Sequence, residues 1–234
     1  MHPAKYRRPI EDPLQLIARL RTKLNSLWLR WFYPFASIGR DVSFHFTSVM
    51  SRARSPRISI GNSVGIGRNA WLAVATEDPT GEPIILIEDN CQIASESIIS
   101  GLNRIHLERG VAIAQSVIIQ DHNHAYEDIS KPALEQGITE GGRIRIGQGT
   151  WVGHGAAILC PRGELTIGRN CVIAANSMVM RSIPDYSVAA GYPATILRQY
   201  DPERRVWRAG GKPAGAARSA ASTPQPSPKD EVNA

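Results

Sequence analysis

The stretch IGQGTWVGHGAAIL, residues 146–159, decides the fold of this 234-residue chain. Its aliphatic residues Ile146, Val152 and Ile158 follow one another at steps of six, and glycine follows the first two. The same step links five groups of three aliphatic residues: Ile60, Ile66, Leu72; Ile87, Ile93, Ile99; Leu107, Ile113, Ile119; Ile146, Val152, Ile158; and Ile167, Ile173, Val179. A repeat of three six-residue faces predicts a parallel β-helix, in which equivalent residues of successive coils stack.

A second column of small or apolar residues lies two positions before the first, as in Ile144, Thr150 and Ala156. Alternate residues of a strand point the same way, so both columns are predicted to face the interior. Cys91 and Cys171 belong to this column, and we interpret them as small buried residues rather than as catalytic thiols. The three cysteines form no CxxC motif, which favours a reducing compartment over a secreted disulfide scaffold.

The two ends of the chain differ from the repeat. Within residues 13–35, Ile17, Leu20, Leu24, Leu27 and Trp31 recur at steps of three and four, which predicts an amphipathic helix that ends at Pro34. The last residues are rich in Gly, Ala, Ser and Pro. The predicted domains are a basic helical segment (1–57), a solenoid (58–200) with a long loop (120–143), and a mostly disordered tail (201–234).

The net charge of +6 is unevenly distributed. Residues 1–57 carry 11 basic and 3 acidic residues, residues 58–201 carry 10 and 15, and residues 202–234 carry 6 and 3. The solenoid is therefore acidic, and without a nucleic-acid-binding motif we predict no nucleic-acid partner. The chain has no apolar run of about 18 residues and no signal-peptide pattern, so a cytoplasmic protein is predicted.

Further motifs give the repeat a family likeness. They are DHNH (121–124), IGRNCVIAANSMV (167–179), IPDYSV (183–188) and GYPATILR (191–198). With the opening stretch, they make residues 58–200 resemble the hexapeptide-repeat acyltransferases, above all the maltose/galactoside O-acetyltransferase relatives that modify sugars and surface polysaccharides. The resemblance implies an all-β solenoid, a left-handed parallel β-helix of about five coils with an N-terminal helix and an active-site loop. It also implies a homotrimer with acetyl-CoA sites between neighbouring subunits.

The DHNH motif begins the long loop after Ile119, where a regular solenoid is expected to carry function. Acyl transfer from a thioester to a hydroxyl needs a base near neutral pKa, which a histidine provides. No Ser-His or Cys-His nucleophile motif is seen, so direct attack in a ternary complex is predicted. Alignment with the family places His124 on its catalytic histidine, with His122 as the competing base. Asp121 either orients a ring N–H or the acceptor, or caps the loop; two solvated loop histidines are the alternative.

The resemblance also suggests residues for the cleft and for coenzyme A. Trp151 and Asn123 are predicted cleft residues, although an outward Trp151 could equally cover the trimer interface. The predicted coenzyme-binding residues are His154, Gly155, Ala156, Ala175, Arg181 and Arg198. The same small residues also suit tight turns, and the arginines also suit a solvated surface. A three-histidine zinc site from His122, His124 and His154 lacks the spacing of solenoid carbonic anhydrases, so no metal is predicted.

The sequence thus predicts transfer of an acetyl group from acetyl-CoA to a hydroxyl of a sugar, glycolipid or surface-polysaccharide precursor. The alternatives are a catalytically silent solenoid used for assembly and an acyltransferase for a non-sugar small molecule. The N-terminal helix has two interpretations. It either packs against the solenoid or a neighbouring subunit, or residues 1–40 lie on an anionic membrane at its inner face.

Overall fold

The computed structural model describes residues 13–210. The tail predicted beyond residue 210 and the first twelve residues lie outside this range. The chain opens with helix α1 (Pro13–Phe32), which ends before Pro34 as predicted. The strands that follow are β1 (Ser37–Ile38), β2 (Ser43–Phe44), β3 (Val49–Met50), β4 (Ile58–Ile60), β5 (Gly65–Ile66), β6 (Trp71–Val74), β7 (Ile85–Ile87), β8 (Gln92–Ile93), β9 (Ile98–Gly101), β10 (Arg104–Leu107), β11 (Ala112–Ile113), β12 (Ile118–Gln120), β13 (Gly141–Ile146), β14 (Trp151–Val152), β15 (Ala157–Leu159), β16 (Arg162–Ile167), β17 (Val172–Ile173), β18 (Met178–Val179), β19 (Ser187–Gly191), β20 (Ala194–Asp201) and β21 (Val206–Ala209). Two short 3₁₀ helices span Ser55–Arg57 and Ala133–Glu135.

The first eighteen strands form three parallel sheets, which we call faces A, B and C. Face A stacks β1, β4, β7, β10, β13 and β16; face B contains β2, β5, β8, β11, β14 and β17; face C stacks β3, β6, β9, β12, β15 and β18. Each coil contributes one strand to every face, so the chain winds through six coils of a parallel β-helix. Strand β19 adds to face B, and β20 and β21 extend that sheet as antiparallel strands.

The two predicted inward columns form the core. Ile144, Ile146, Ile158 and their stacked equivalents are almost fully buried. The buried Thr150 shows how a polar member of the column is satisfied, because its Oγ1 donates to the Gly168 carbonyl (2.7 Å) and accepts from the Cys171 N–H (3.0 Å). Burial raises the pKa of the Cys91 thiol to about 11, so this cysteine stays protonated and packs as a small apolar residue.

The solenoid extends beyond the predicted boundaries at both ends. Ile38, Phe44 and Met50 continue the step of six upstream, so the β-helix begins inside the predicted segment 1–57 and has six coils rather than about five. The predicted repeat rests on Ile, Leu and Val, and this first coil fills two of its sites with Phe and Met. Downstream, β21 ends at Ala209, inside the segment 201–234 that is predicted to be mostly disordered. The loop is also shorter than 120–143, since β12 ends at Gln120 and β13 begins at Gly141.

Candidate active site

Asp121 is the buried anchor of the DHNH motif. It immediately follows β12 and is 0% exposed. Its Oδ1 accepts from Leu102 N (2.7 Å), and its Oδ2 accepts from Asn103 N and Arg104 N (2.9 Å each). Three backbone donors of the preceding coil thus compensate the buried charge. Asp121 therefore fixes the point at which the chain leaves the solenoid for the loop.

The two histidines of the motif differ in environment. His122 Nδ1 lies 3.0 Å from Asp121 Oδ1, and its side chain is only 10% exposed. Since an ionised carboxylate only accepts, Nδ1 carries the proton of this bond. His124 is exposed, and its backbone forms an isolated bridge to Ile138 across the loop. His122 is therefore held by the solenoid, whereas the His124 imidazole is open to an incoming molecule.

The loop, residues 121–140, is held at its two ends. Thr139 Oγ1 accepts from Asn123 N (3.0 Å), and Thr139 N donates to the Asn123 carbonyl (2.8 Å). Asn103 Nδ2 donates to the Glu140 carbonyl (2.8 Å). Asn123 is exposed beside His124. The first residues of the loop are thereby placed by hydrogen bonds, although the loop as a whole is exposed.

A second group of predicted site residues lies at or beside the corner between faces B and C. Trp151 points outward from β14 and is about half exposed, and His154 is exposed at the corner. Gly155 adopts φ +66° and Asn176, one coil further, φ +56°, so both serve as left-handed turn residues. Asparagine tolerates this left-handed conformation, so the turn at Asn176 needs no glycine.

The small residues of this corner do not offer equivalent N–H groups. Gly155 N donates to the Gln115 carbonyl (3.0 Å), and Ala156 N donates to the Gly153 carbonyl (3.3 Å). Ala156 is fully buried, whereas Ala175 is exposed on the next coil. Gly155 and Ala156 therefore shape the corner, and their N–H groups are already engaged within the solenoid.

The two predicted phosphate-contacting arginines are both exposed but differ in contacts. Arg181 lies just after β18 at the corner between faces C and A. The Arg198 guanidinium lies 5.6 Å from the centre of the Trp207 ring, a cation–π contact between β20 and β21. Arg198 is therefore partly committed to packing the terminal strands, while Arg181 faces solvent.

The structure divides the predicted site into two groups. Asp121, His122 and His124 lie at the corner that follows face C. His154 and Gly155 lie at the corner that precedes it, and Trp151 lies beside that corner on face B. Face C separates them by roughly 15–20 Å, since one face takes about six residues at about 3.3 Å each. Within one chain the two groups do not meet.

Sequence reasoning missed the outer surface of face C. Its outward column is apolar in every coil: Val49, Trp71, Ile98, Ile118, Ala157 and Met178. The corresponding column of face A is largely polar: Ser37, Ser59, Leu86, His106, Arg145 and Thr166. The signal was present in the sequence, because a residue one position before each third-face inward residue is predicted to point outward.

Residues 13–210 contain no group of three or more His, Cys, Asp or Glu side chains placed to hold a metal ion. His122, His124 and His154, the three histidines considered for a zinc site, lie at two different corners. Within the same range no helix is long and apolar enough to cross a membrane.

Comparison with known proteins agrees with this architecture. The chain is 33% identical over 152 residues to "Putative lipopolysaccharide biosynthesis O-acetyl transferase WbbJ" of Escherichia coli K12, covering 62% of this chain and 76% of that protein. It is also 33% identical over 162 residues to "Probable acetyltransferase Rv3034c" of Mycobacterium tuberculosis, covering 69% of this chain but only 49% of that relative. No family model matches the chain.

Among solved structures, the N-acyltransferase AntD of Bacillus cereus, crystallised with dTDP and 3-hydroxybutyryl-CoA, superposes with a TM-score of 0.62 at 19% identity. The match covers 76% of this chain and 90% of AntD, and it supports the fold. This likeness confirms the left-handed β-helix, and the sequence relatives confirm the family likeness. The chain belongs to the hexapeptide-repeat acyltransferases.

Proposed function

We propose that this protein transfers an acetyl group from acetyl-CoA to a hydroxyl of a sugar or surface-polysaccharide precursor, in a site shared by neighbouring subunits of a homotrimer. One observation carries the proposal: the two halves of the candidate site lie at opposite edges of an outward apolar face. If face C packs against neighbouring subunits, the His124 corner of one chain can meet the Trp151 corner of the next. The name of the Escherichia coli relative, a lipopolysaccharide biosynthesis O-acetyl transferase, supports the acceptor class.

The proposed reaction is a direct transfer with His124 as the general base. The imidazole takes the proton of the acceptor hydroxyl while the oxygen attacks the thioester carbonyl carbon. The tetrahedral intermediate collapses with cleavage of the C–S bond, and the coenzyme A thiolate recovers the proton from the imidazolium. An acetyl ester and free coenzyme A result. Exposure of His124 supports this role over His122, whose ring is largely buried against Asp121.

The remaining residues have proposed positioning roles. Asp121 and His122 hold the start of the loop, and Asn123 and Trp151 line the cleft on its two sides. Ala175 is the most accessible small residue of the corner, so its backbone is a candidate donor to the developing oxyanion. His154, Gly155 and Ala156 form the wall along which the pantetheine arm lies. Arg181 contacts a coenzyme A phosphate, and Arg198 contributes charge from its position on Trp207.

Release of free thiol from acetyl-CoA in the presence of a panel of sugars tests this function. We expect acceptor-dependent release, together with a higher unfolding temperature in acetyl-CoA, because a ligand that binds only the folded state stabilises it. A solenoid used only for assembly would show neither effect. Thiol release with non-sugar hydroxyl compounds alone would instead support the other acyltransferase hypothesis.

The proposed packing of face C in the trimer can be tested separately from the reaction. Ile118 lies in the middle of the apolar column, and Ile118→Arg places a charge where the neighbouring subunit is proposed to pack. We expect the variant to be a monomer, because burying an unpaired charge in the interface is strongly unfavourable. It should also lose acetyl transfer. Size-exclusion chromatography with light scattering measures the mass. Leu86→Arg, on the outward column of face A, is the matched control and should remain trimeric. A trimeric Ile118→Arg protein would refute the assignment of face C.

A further inference from the structure

Helix α1 packs on the solenoid through its more polar side. Strand β2 is the open edge of face B, and Ser26 Oγ accepts from its Phe44 N–H (2.8 Å). Asn25 Nδ2 donates to the Phe44 carbonyl (3.3 Å), and Leu29 is buried beside them. The helix thus satisfies a strand edge that would otherwise be exposed. Because this side faces the open edge of the first coil, the opposite side of the helix points away from the solenoid.

The side that points away is apolar. Its exposed residues are Leu16, Ile17, Leu20, Leu24, Leu27, Trp28 and Trp31. Leu20 is 58% exposed and Trp31 80% exposed, although both belong to the regular spacing of an apolar helix face. A contiguous apolar strip of this kind on a folded protein marks an interaction surface. The polar side of the helix thus packs on the solenoid, whereas in the single chain its apolar side is exposed.

Basic residues border the apolar strip on both sides. At 100° per residue, Arg19, Lys23 and Arg30 fall along one border and Arg21 along the other. The helix has no acidic residue. Part of this charge is held near the solenoid, since Arg30 donates to the Gly39 carbonyl (2.6 Å) and Arg21 lies over the Phe46 ring. The result is an apolar strip between cationic borders, with tryptophans at its C-terminal end.

We infer that α1 docks the protein onto an anionic membrane surface, with the apolar strip inserted at the boundary between headgroups and acyl chains. Lipid phosphates complement both basic borders at once, and tryptophans favour this depth. A second copy of the helix would instead bring cationic borders together, which is unfavourable. The inference rests on α1 alone and does not depend on the proposed acetyl transfer.

Co-sedimentation of the full chain with vesicles tests this inference. We expect binding to phosphatidylcholine vesicles that contain phosphatidylglycerol, with weaker binding to pure phosphatidylcholine and at high salt. The double variant Leu20→Gln, Leu24→Gln keeps helix-forming residues and should lower the partition coefficient at least about tenfold, because two buried leucines are lost. Leu197→Gln, which changes an exposed leucine on β20, is the control and should bind as the wild type does.

A second variant tests the contribution of the basic residues of α1 to vesicle binding. Lys23→Gln should weaken binding to the anionic vesicles about fivefold, the loss expected for one basic residue at such a surface. Arg204→Gln, an exposed arginine far along the chain, should have no effect. The inference fails if the wild type does not bind anionic vesicles or if the leucine variant binds equally well. It also fails if the leucines instead drive association between free protein molecules.

Discussion

His124→Asn is expected to reduce the turnover number for acetyl transfer by about 10²–10⁴-fold, the range for removal of a general base. Asparagine keeps a polar side chain of similar reach but cannot take the acceptor proton at neutral pH. The side chain is exposed in the single chain, so the fold should be unchanged. Steady-state rates with a saturating acceptor, and the unfolding midpoint of the same preparation, provide the measurement.

Two further histidine variants make this result specific. His106→Asn changes a histidine on face A that pairs with Glu88 (2.8 Å), and it should leave the rate unchanged. His122→Asn loses the hydrogen bond to Asp121 and should lower the free energy of unfolding. Its turnover number should fall less than that of His124→Asn. If His122→Asn instead stays folded and loses more activity than His124→Asn, then His122 is the base and the proposed assignment is wrong.

Asp121→Asn is expected to lower the free energy of unfolding by about 2–5 kcal/mol, because a buried carboxylate with four donors is replaced by an amide. Oδ1 accepts from Leu102 N and His122 Nδ1, and Oδ2 accepts from Asn103 N and Arg104 N. Whichever way the amide is oriented, its NH₂ faces at least one backbone N–H that then has no acceptor. Chemical denaturation at a fixed protein concentration measures the loss, since oligomer stability depends on concentration.

Asp128→Asn is the matched control in the same loop. Asp128 is exposed, and its carboxylate accepts from Ser130 N and Ser130 Oγ, which lowers its pKa. Water can replace these bonds, so the unfolding midpoint should change little. Equal midpoints for the two aspartate variants would show that Asp121 does not anchor the loop.

Much of the fold follows from the sequence because the β-helix is periodic. Residues equivalent to Ile144 and Ile146 in the other coils have the same buried environment. Once one coil is recognised, the neighbouring coils can therefore be predicted from it. The first coil was not recognised in the sequence because Phe44 and Met50 replace the aliphatic residues of the pattern. The terminal strands were not predicted for a different reason. Strands β20 and β21 pair antiparallel, and such pairing does not produce a six-residue spacing in the sequence.

The candidate site was less predictable. The motif DHNH and the family likeness singled out His124 and His122, but only the structure distinguishes an exposed ring from one held by a buried carboxylate. Likewise, Gly155 and Ala156 are small in any interpretation. Their N–H groups prove to be engaged because the carbonyls of Gln115 and Gly153 lie opposite them. The bond to Gly153 is a turn within one coil, whereas the bond to Gln115 joins two coils across the long loop, and neither is visible from residue size alone.

The sequence by itself determined which residues face the interior, because alternation along a strand and the step of six depend only on the order of residues. It also determined that the basic charge lies at the ends, whereas the solenoid is acidic. The tertiary structure decided what lies next to what. It separated His124 from Trp151 by a whole face, and it turned the apolar side of α1 away from the solenoid because the polar side satisfies the open edge of β2. Neither arrangement is encoded in a local pattern, since each depends on which backbone groups remain unpaired after the coils have stacked.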